Sequence, residues 1–184
     1  MLRRVNAATA LGVALALCLS GCGGAGVGGD QLPSADDPVA WAGRMCSAVA
    51  PLGALKGLLP PLDPNNPAAS REMLSGYFGQ AEQAAEQALT GLEQAGPSPV
   101  AGGDDAAAKL GGALRRLRDA YRDARAKIDA IDPGDPVGLG TQLPGIFTAL
   151  AAASNDKDLA SLGTNQALDD AVKKSPSCSL VPRS

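Results

Sequence analysis

The alternation of apolar and polar positions after residue 37 is helical rather than extended. Apolar residues recur at steps of three and four, which is the spacing of one face of an α-helix. Residues with β-branched side chains, which strands favour, are few in the same region. The pattern therefore predicts an all-α protein. The predicted helices run over about 38–59, 67–95, 104–131, 136–153 and 165–174.

Local signals mark where these helices begin and end. Three starts carry an Asn or Asp followed by Pro, namely Asp37-Pro38, Asn66-Pro67 and Asp135-Pro136. The side-chain oxygen caps the first turn, and proline lacks the N–H that would be unpaired there. Thr164 is the predicted cap of the last helix. Proline and glycine pairs at 60–61, 96–97 and 133–134 are predicted stops.

The apolar faces predict how the helices pack. The third helix presents a seam that steps by three and four throughout: Leu110, Leu114, Leu117, Tyr121, Ala124, Ile128 and Ile131. Such seams pack at shallow angles, and short connections favour an antiparallel four-helix-type bundle, here with a short extra C-terminal helix. The five aromatic residues are all predicted to be core: Trp41, Tyr77, Phe78, Tyr121 and Phe147.

The first 21 residues have the pattern of an export signal. Arg3 and Arg4 precede a 13-residue, mainly apolar run from Ala7 to Leu19. A membrane-spanning helix needs about 20 apolar residues, so this run is short for one. The Gly-rich stretch that follows has no apolar periodicity and is predicted to be a flexible tether.

The sequence Leu19-Ser20-Gly21-Cys22 resembles the lipobox of bacterial lipoproteins. The resemblance implies cleavage before Cys22 and acyl chains, such as palmitate, on its sulfur, which would hold the protein on the extracytoplasmic face of the cell membrane. The alternative is an ordinary secretory signal that ends near a cysteine. The expected division is a signal peptide at 1–21, a lipidated tether at 22–37 and a helical domain at 38–184.

Two cysteines remain for the folded domain once the signal and the lipid are assigned. Cys46 and Cys178 form an even pair in an exported chain, and oxidising compartments favour a disulfide between them. The alternative is two separate reactive or metal-binding thiols, but neither lies in a C-x-x-C pair and the chain has no histidine. Trp41 before Cys46, with one C-terminal cysteine, is also similar to small actinobacterial lipoproteins, a likeness that implies no activity.

Charge and residue content give little sign of catalysis. The net charge is −3, and loss of Arg3 and Arg4 with the signal would make it −5, which argues against nucleic-acid binding. Without histidine, no Ser or Cys nucleophile can be activated by one. The acidic pairs lie at helix ends or on polar faces, so we expect caps and solvated groups there. We therefore expect no enzyme activity, no cofactor and no metal site.

Two clusters are candidate contact residues. Arg115, Arg118 and Arg122 on the third helix form either a solvated, ion-paired face or a patch for anionic headgroups or an acidic partner. Leu55, Leu58 and Leu59, near the end of the first helix, are either buried by the following loop or exposed as an apolar docking patch.

These features predict a lipid-anchored cell-envelope protein that acts as a non-enzymatic helical binding or adaptor module. Its expected partners are the membrane, through Cys22, and another envelope protein or lipid. The alternative is a carrier of lipid or another apolar ligand between membrane and cell wall. A carrier requires an apolar cavity, which adaptor function does not.

Overall fold

A computed structural model describes residues 37–55, 58–135, 137–154 and 165–180. The described residues form five α-helices and a final 3₁₀ helix, with no strand among them, so the all-α prediction is confirmed. The helices are α1 (Pro38–Ala54), α2 (Pro67–Ala95), α3 (Gly103–Asp129), α4 (Gly138–Ser154) and α5 (Gln166–Lys174), and the 3₁₀ helix is Pro176–Leu180. The predicted signal peptide, Cys22 and nearly all of the tether lie outside these residues.

The predicted caps explain where α1 and α2 begin. The carboxylate of Asp37 accepts a hydrogen bond from the N–H of Val39 at 2.8 Å. The side-chain oxygen of Asn66 accepts one from the N–H of Ala69 at 3.1 Å. The cap of α5 differs from the prediction, because Asn165, rather than Thr164, accepts from the N–H of Leu168. Asn and Asp are favoured N-caps over Thr, which agrees with this choice.

The prediction that α1 extends to Leu59 is wrong, because the helix ends at Ala54. Pro51 lies in its last turn and cannot donate the backbone hydrogen bond that a helix interior needs. Gly53 is a weak helix former at the same point. The segment that follows packs along α2 instead, where the N–H of Asp63 donates to Oγ of Ser70 at 2.8 Å.

The centre of the fold is an antiparallel hairpin of α2 and α3. With 29 residues, α2 is about 43 Å long at 1.5 Å per residue. The shorter helices α1 and α4 pack mainly on different halves of this hairpin. One core cluster joins α2, α3 and α4: Leu74, Phe78, Ala124, Ile128, Ile131, Leu139, Leu143 and Ile146. The others join α1 to α2, α3 and α5: Trp41, Ala42, Met45, Ala95 and Ala171 in one, and Ala88, Leu89 and Leu114 in the other.

Small residues let α1 approach α2 closely. A Cβ atom added at Gly91 would lie 2.8 Å from the Cβ of Ala48, closer than such atoms come in proteins. Ala81, Ala85 and Ala88 of α2 are fully buried, as their spacing predicted. The hairpin therefore has a filled interior.

The core prediction fails for one aromatic residue. Phe147 is 36% exposed, whereas its neighbour Ile146 is buried at 2%. Leu139, Leu143 and Ile146 share the face of α4 that meets α3, and Phe147 projects about 100° away from Ile146 around the helix. Trp41 and Phe78 are buried as predicted, and Tyr77 and Tyr121 are half-buried against the core cluster that joins α2, α3 and α4.

Candidate functional site

A disulfide joins the start of the domain to its end, as predicted. The sulfurs of Cys46, on α1, and Cys178, in the 3₁₀ helix, are bonded, with the two residues 132 positions apart in sequence and a Cα–Cα distance of 5.0 Å. Asn165 attaches the C-terminal segment at a second point, because its Nδ2 donates a hydrogen bond to the carbonyl oxygen of Ala101 at 2.7 Å. The C-terminal segment is thus attached at both ends of α5.

The leucines at the end of α1 are divided between core and surface. Leu55 is half-buried at the C-cap of α1. Leu58 is 60% exposed, Leu59 46% and Leu62 43%, so the prediction of an exposed patch describes this segment better than burial does. We call Leu58, Leu59 and Leu62 the leucine segment.

A shallow groove adjoins the leucine segment on α2. The groove has a volume of about 330 Å³, and no charged residue lines it. Its lining consists of Leu58, Pro60, Met73, Gly76, Tyr77 and Gln80. The sequence pattern missed Met73, which is 41% exposed, because an isolated apolar residue on a polar helix face carries no periodic signal.

The predicted arginine patch is an ion-pair network in the structure. Nε of Arg122 lies 2.7 Å from a carboxylate oxygen of Glu82, and Nη1 of Arg118 lies 3.2 Å from one of Glu86. Asp119 pairs with both arginines, and its hydrogen bond is the main cause that raises the pKa of Arg118 above its ordinary value. Exposed pairs of this kind are typical of a solvated helix surface.

The leucines and arginines do not form one surface. Arg115 is exposed on α3, and Arg118 and Arg122 face Glu82 and Glu86 of α2. At 100° per residue, Tyr77 lies on the opposite side of α2 from Glu86. The two predicted contact clusters therefore occupy different sides of the hairpin.

An apolar pocket of about 270 Å³ lies between α1, α3 and α5. Apart from Asp169, apolar side chains and the half-cystine Cys46 line it: Trp41, Ala42, Met45, Val49, Ala106, Leu110, Leu168 and Val172. The sequence marked most of these residues as apolar helix faces, but not as neighbours, because they come from three helices far apart in the chain.

Several acidic residues in the described part of the chain act as caps and ion-pair partners. Asp104 accepts a hydrogen bond from the N–H of Ser98 at 2.7 Å, and Asp105 pairs with Lys109 at 2.8 Å. Asp132 accepts from the N–H of Gly134 within a turn. No cluster of three or more Cys, Asp or Glu that could hold a metal ion occurs within the described ranges.

Burial raises the pKa of one tyrosine in the aromatic cluster between α2 and α3. The rings of Phe78 and Tyr121 stack with centroids 6.5 Å apart, and Tyr77 meets Phe78 edge-on at 5.5 Å. Burial raises the pKa of Tyr121 above its ordinary 10.0, and the nearby Tyr77 raises it further. This hydroxyl stays protonated at neutral pH, so it offers no base.

Comparison with protein families found no match, and comparisons with curated proteins and with solved structures found none either. Among the helices that the structure describes, none has both the length and the apolar character needed to cross a membrane. The groove, the pocket and the surface charges are therefore the basis for a functional proposal.

Proposed function

We propose that this protein is a lipid-anchored, non-enzymatic binding module of the cell envelope that docks another envelope protein on the leucine segment. The observation that supports this is the exposure of Leu58 at 60%, beside a groove to which Met73 contributes. Large apolar side chains exposed together are typical of contact sites. Because no charged residue lines the groove, the partner segment we expect is apolar.

The paired arginines do not belong to this docking surface. Arg118 and Arg122 are neutralised by Glu82, Glu86 and Asp119, so an acidic partner or anionic headgroup would have to displace those carboxylates. The exposed ion pairs instead keep this side of the hairpin solvated. The leucine segment is the better candidate contact.

The carrier hypothesis requires a larger apolar pocket than the one between α1, α3 and α5. Pockets for drug-sized ligands are about 300–1,000 Å³. The apolar pocket between α1, α3 and α5 has about 270 Å³. A lipid with two acyl chains needs more space than this, which favours docking over lipid carriage.

Docking can be tested with Leu58→Asp. Because Leu58 is mostly exposed, the variant should fold, with unfolding free energy changed by no more than about 0.5 kcal/mol. Crosslinking in native membranes should lose the partner that the unchanged protein captures. Phe147→Asp is the matched control, since it places the same charge at an exposed apolar residue of another helix. Retention of the partner by Leu58→Asp, or unfolding of this variant, would contradict the proposal.

Anchoring needs its own test, because it depends on the lipobox resemblance. Cys22→Ala should move the protein from the membrane fraction to the soluble fraction, since acyl chains on the sulfur are the expected attachment. Fractionation should be paired with N-terminal mass analysis. If a correctly cleaved Cys22→Ala protein stays on the membrane, lipid anchoring is refuted.

A further inference from the structure

The pocket between α1, α3 and α5 has a buried base and a half-exposed rim. Its base consists of buried residues of α1 and α3: Trp41, Ala42, Met45 and Ala106. Its rim consists of half-buried apolar residues of three helices: Val49, Leu110, Leu168 and Val172. An apolar ligand entering from the rim would thus contact only apolar groups over most of its length.

The one charged residue of the lining marks the outer end of the pocket. Asp169 is 43% exposed and pairs with Lys173 at 2.5 Å. This pair places polar groups at one edge, whereas Trp41 at the base is only 1% exposed. The arrangement suits an elongated ligand with an apolar body and one polar end.

The wall formed by α5 is held in place without a ligand. Its N-terminal cap, Asn165, bonds to the carbonyl of Ala101, and the chain after α5 is bonded to α1 through Cys178. Ligand pockets are usually preformed in this way, which lowers the ordering cost of binding. The pocket is therefore a property of the fold rather than of a bound state.

The volume limits the size of the ligand. A cavity of about 150 Å³ binds benzene, and drug-sized ligands need about 300 Å³ or more. The pocket of about 270 Å³ lies between these limits. A methylene group is close in size to a water molecule, which takes about 30 Å³ in the liquid, so the pocket has room for about nine carbons of an unbranched chain.

We propose that this pocket binds one alkyl chain of a single-chain amphiphile, with the polar end beside Asp169. This proposal goes beyond docking on the leucine segment, because the pocket and the groove lie at different positions along the axis of the α2–α3 hairpin. Nε1 of Trp41 donates to the carbonyl of Gly96, at the end of α2, whereas Leu58 lines a groove with Tyr77. Tyr77 and the C-cap Gly96 are 19 positions apart, which corresponds to about 28 Å along the axis of α2.

Trp41 reports on this pocket directly, because it is the sole tryptophan of the chain. The test is quenching of its fluorescence by 8-bromooctan-1-ol, whose eight carbons and bromine fit the pocket volume. The full chain with Cys22→Ala is used, so that no acyl chain of its own competes. We expect saturable, one-to-one quenching that excess unbrominated octan-1-ol reverses. Absent or unsaturable quenching would overturn the proposal.

Two variants separate the pocket from the rest of the surface. Val172→Phe fills the rim and should weaken probe binding at least tenfold, whereas Ala167→Phe places the same ring at an exposed position of α5 and should leave it unchanged. Leu168→Gln gives a second test if Val172→Phe does not fold, which circular dichroism will show. Equal binding by the pocket variants and the control would overturn the proposal.

A vesicle experiment distinguishes the source of the chain. Vesicles that contain a lysophosphatidylcholine with a brominated acyl chain should quench Trp41 if the pocket takes the chain of a single-chain membrane lipid. Quenching by the free alcohol alone identifies soluble amphiphiles as the ligand class. Neither result depends on Leu58, so failure of docking and failure of this site remain distinguishable.

Discussion

The guanidinium of Arg71, near the start of α2, donates to the last carbonyls of α3. Its Nε lies 3.1 Å from the carbonyl oxygen of Ile128, and its Nη2 lies 2.8 Å from that of Asp129. The end of a helix has carbonyls without intrahelical partners and a partial negative charge. Arg44 of α1 likewise donates a hydrogen bond to the end of α2, with its Nε 3.2 Å from the carbonyl oxygen of Ala95. Each long helix is therefore capped by an arginine of the preceding helix.

Arg71→Met should lower the free energy of unfolding by about 1–2 kcal/mol, because it keeps the aliphatic stem but removes charged donors from two carbonyls. Urea denaturation measures this change. Arg115→Met is the control, since Arg115 is exposed on α3 and its replacement should matter by less than about 0.5 kcal/mol. Equal effects of the two substitutions would show that the cap does not stabilise the hairpin.

The Cys46–Cys178 disulfide should make a large contribution to stability. If its effect is the loop-closure entropy of the unfolded chain, a closed loop of this length is worth about 5 kcal/mol. Cys178→Ser should lower the melting temperature as much as the double replacement with Cys46→Ser, since the two sulfurs act as one unit. Alkylation of both thiols in the unreduced protein, detected by mass spectrometry, would rule out the bond.

Gly91→Ala should destabilise the domain by about 1–3 kcal/mol, because the added Cβ would lie 2.8 Å from that of Ala48. Thermal unfolding measures the effect. Gly76→Ala is a matched control on the same helix: nothing lies within 4 Å of its added Cβ, so the better helix propensity should stabilise by about 0.5–1 kcal/mol. If Ala48→Gly fails to rescue Gly91→Ala, the proposed clash is wrong.

Stability should fall at high pH through Tyr121. Its pKa is raised by burial, so the folded state holds the phenol proton more tightly than the unfolded state does. The stabilisation is complete below pH 10.0, the ordinary pKa, and is lost as the pH rises through the raised pKa. Ultraviolet titration should show one late-ionising tyrosine, and Tyr121→Phe should remove both this transition and its share of the stability loss. A titration at the ordinary pKa would contradict the prediction.

The parts of the fold that depend on neighbouring residues could be predicted from the sequence. Asn66 caps α2 through a hydrogen bond to a residue three positions away, and the periodic seam of α3 already marks Leu114 and Ile128 as core. The disulfide was also predictable, because residues 38–184 contain only two cysteines. Helix caps and apolar periodicity depend on residues within a few helical turns of each other, so they can be predicted without knowledge of the tertiary structure.

Tertiary structure decided the rest. The length of α1 depends on whether packing can offset Pro51, and the helix instead ends at Ala54, with Leu58 exposed in a groove beside α2. The caps supplied by Arg44 and Arg71 join residues 51 and 57 positions apart. The pocket beside Trp41 likewise needs three helices at once. A sequence pattern shows that a face is apolar, but only the packed helices determine whether that face is filled, exposed or left as a cavity.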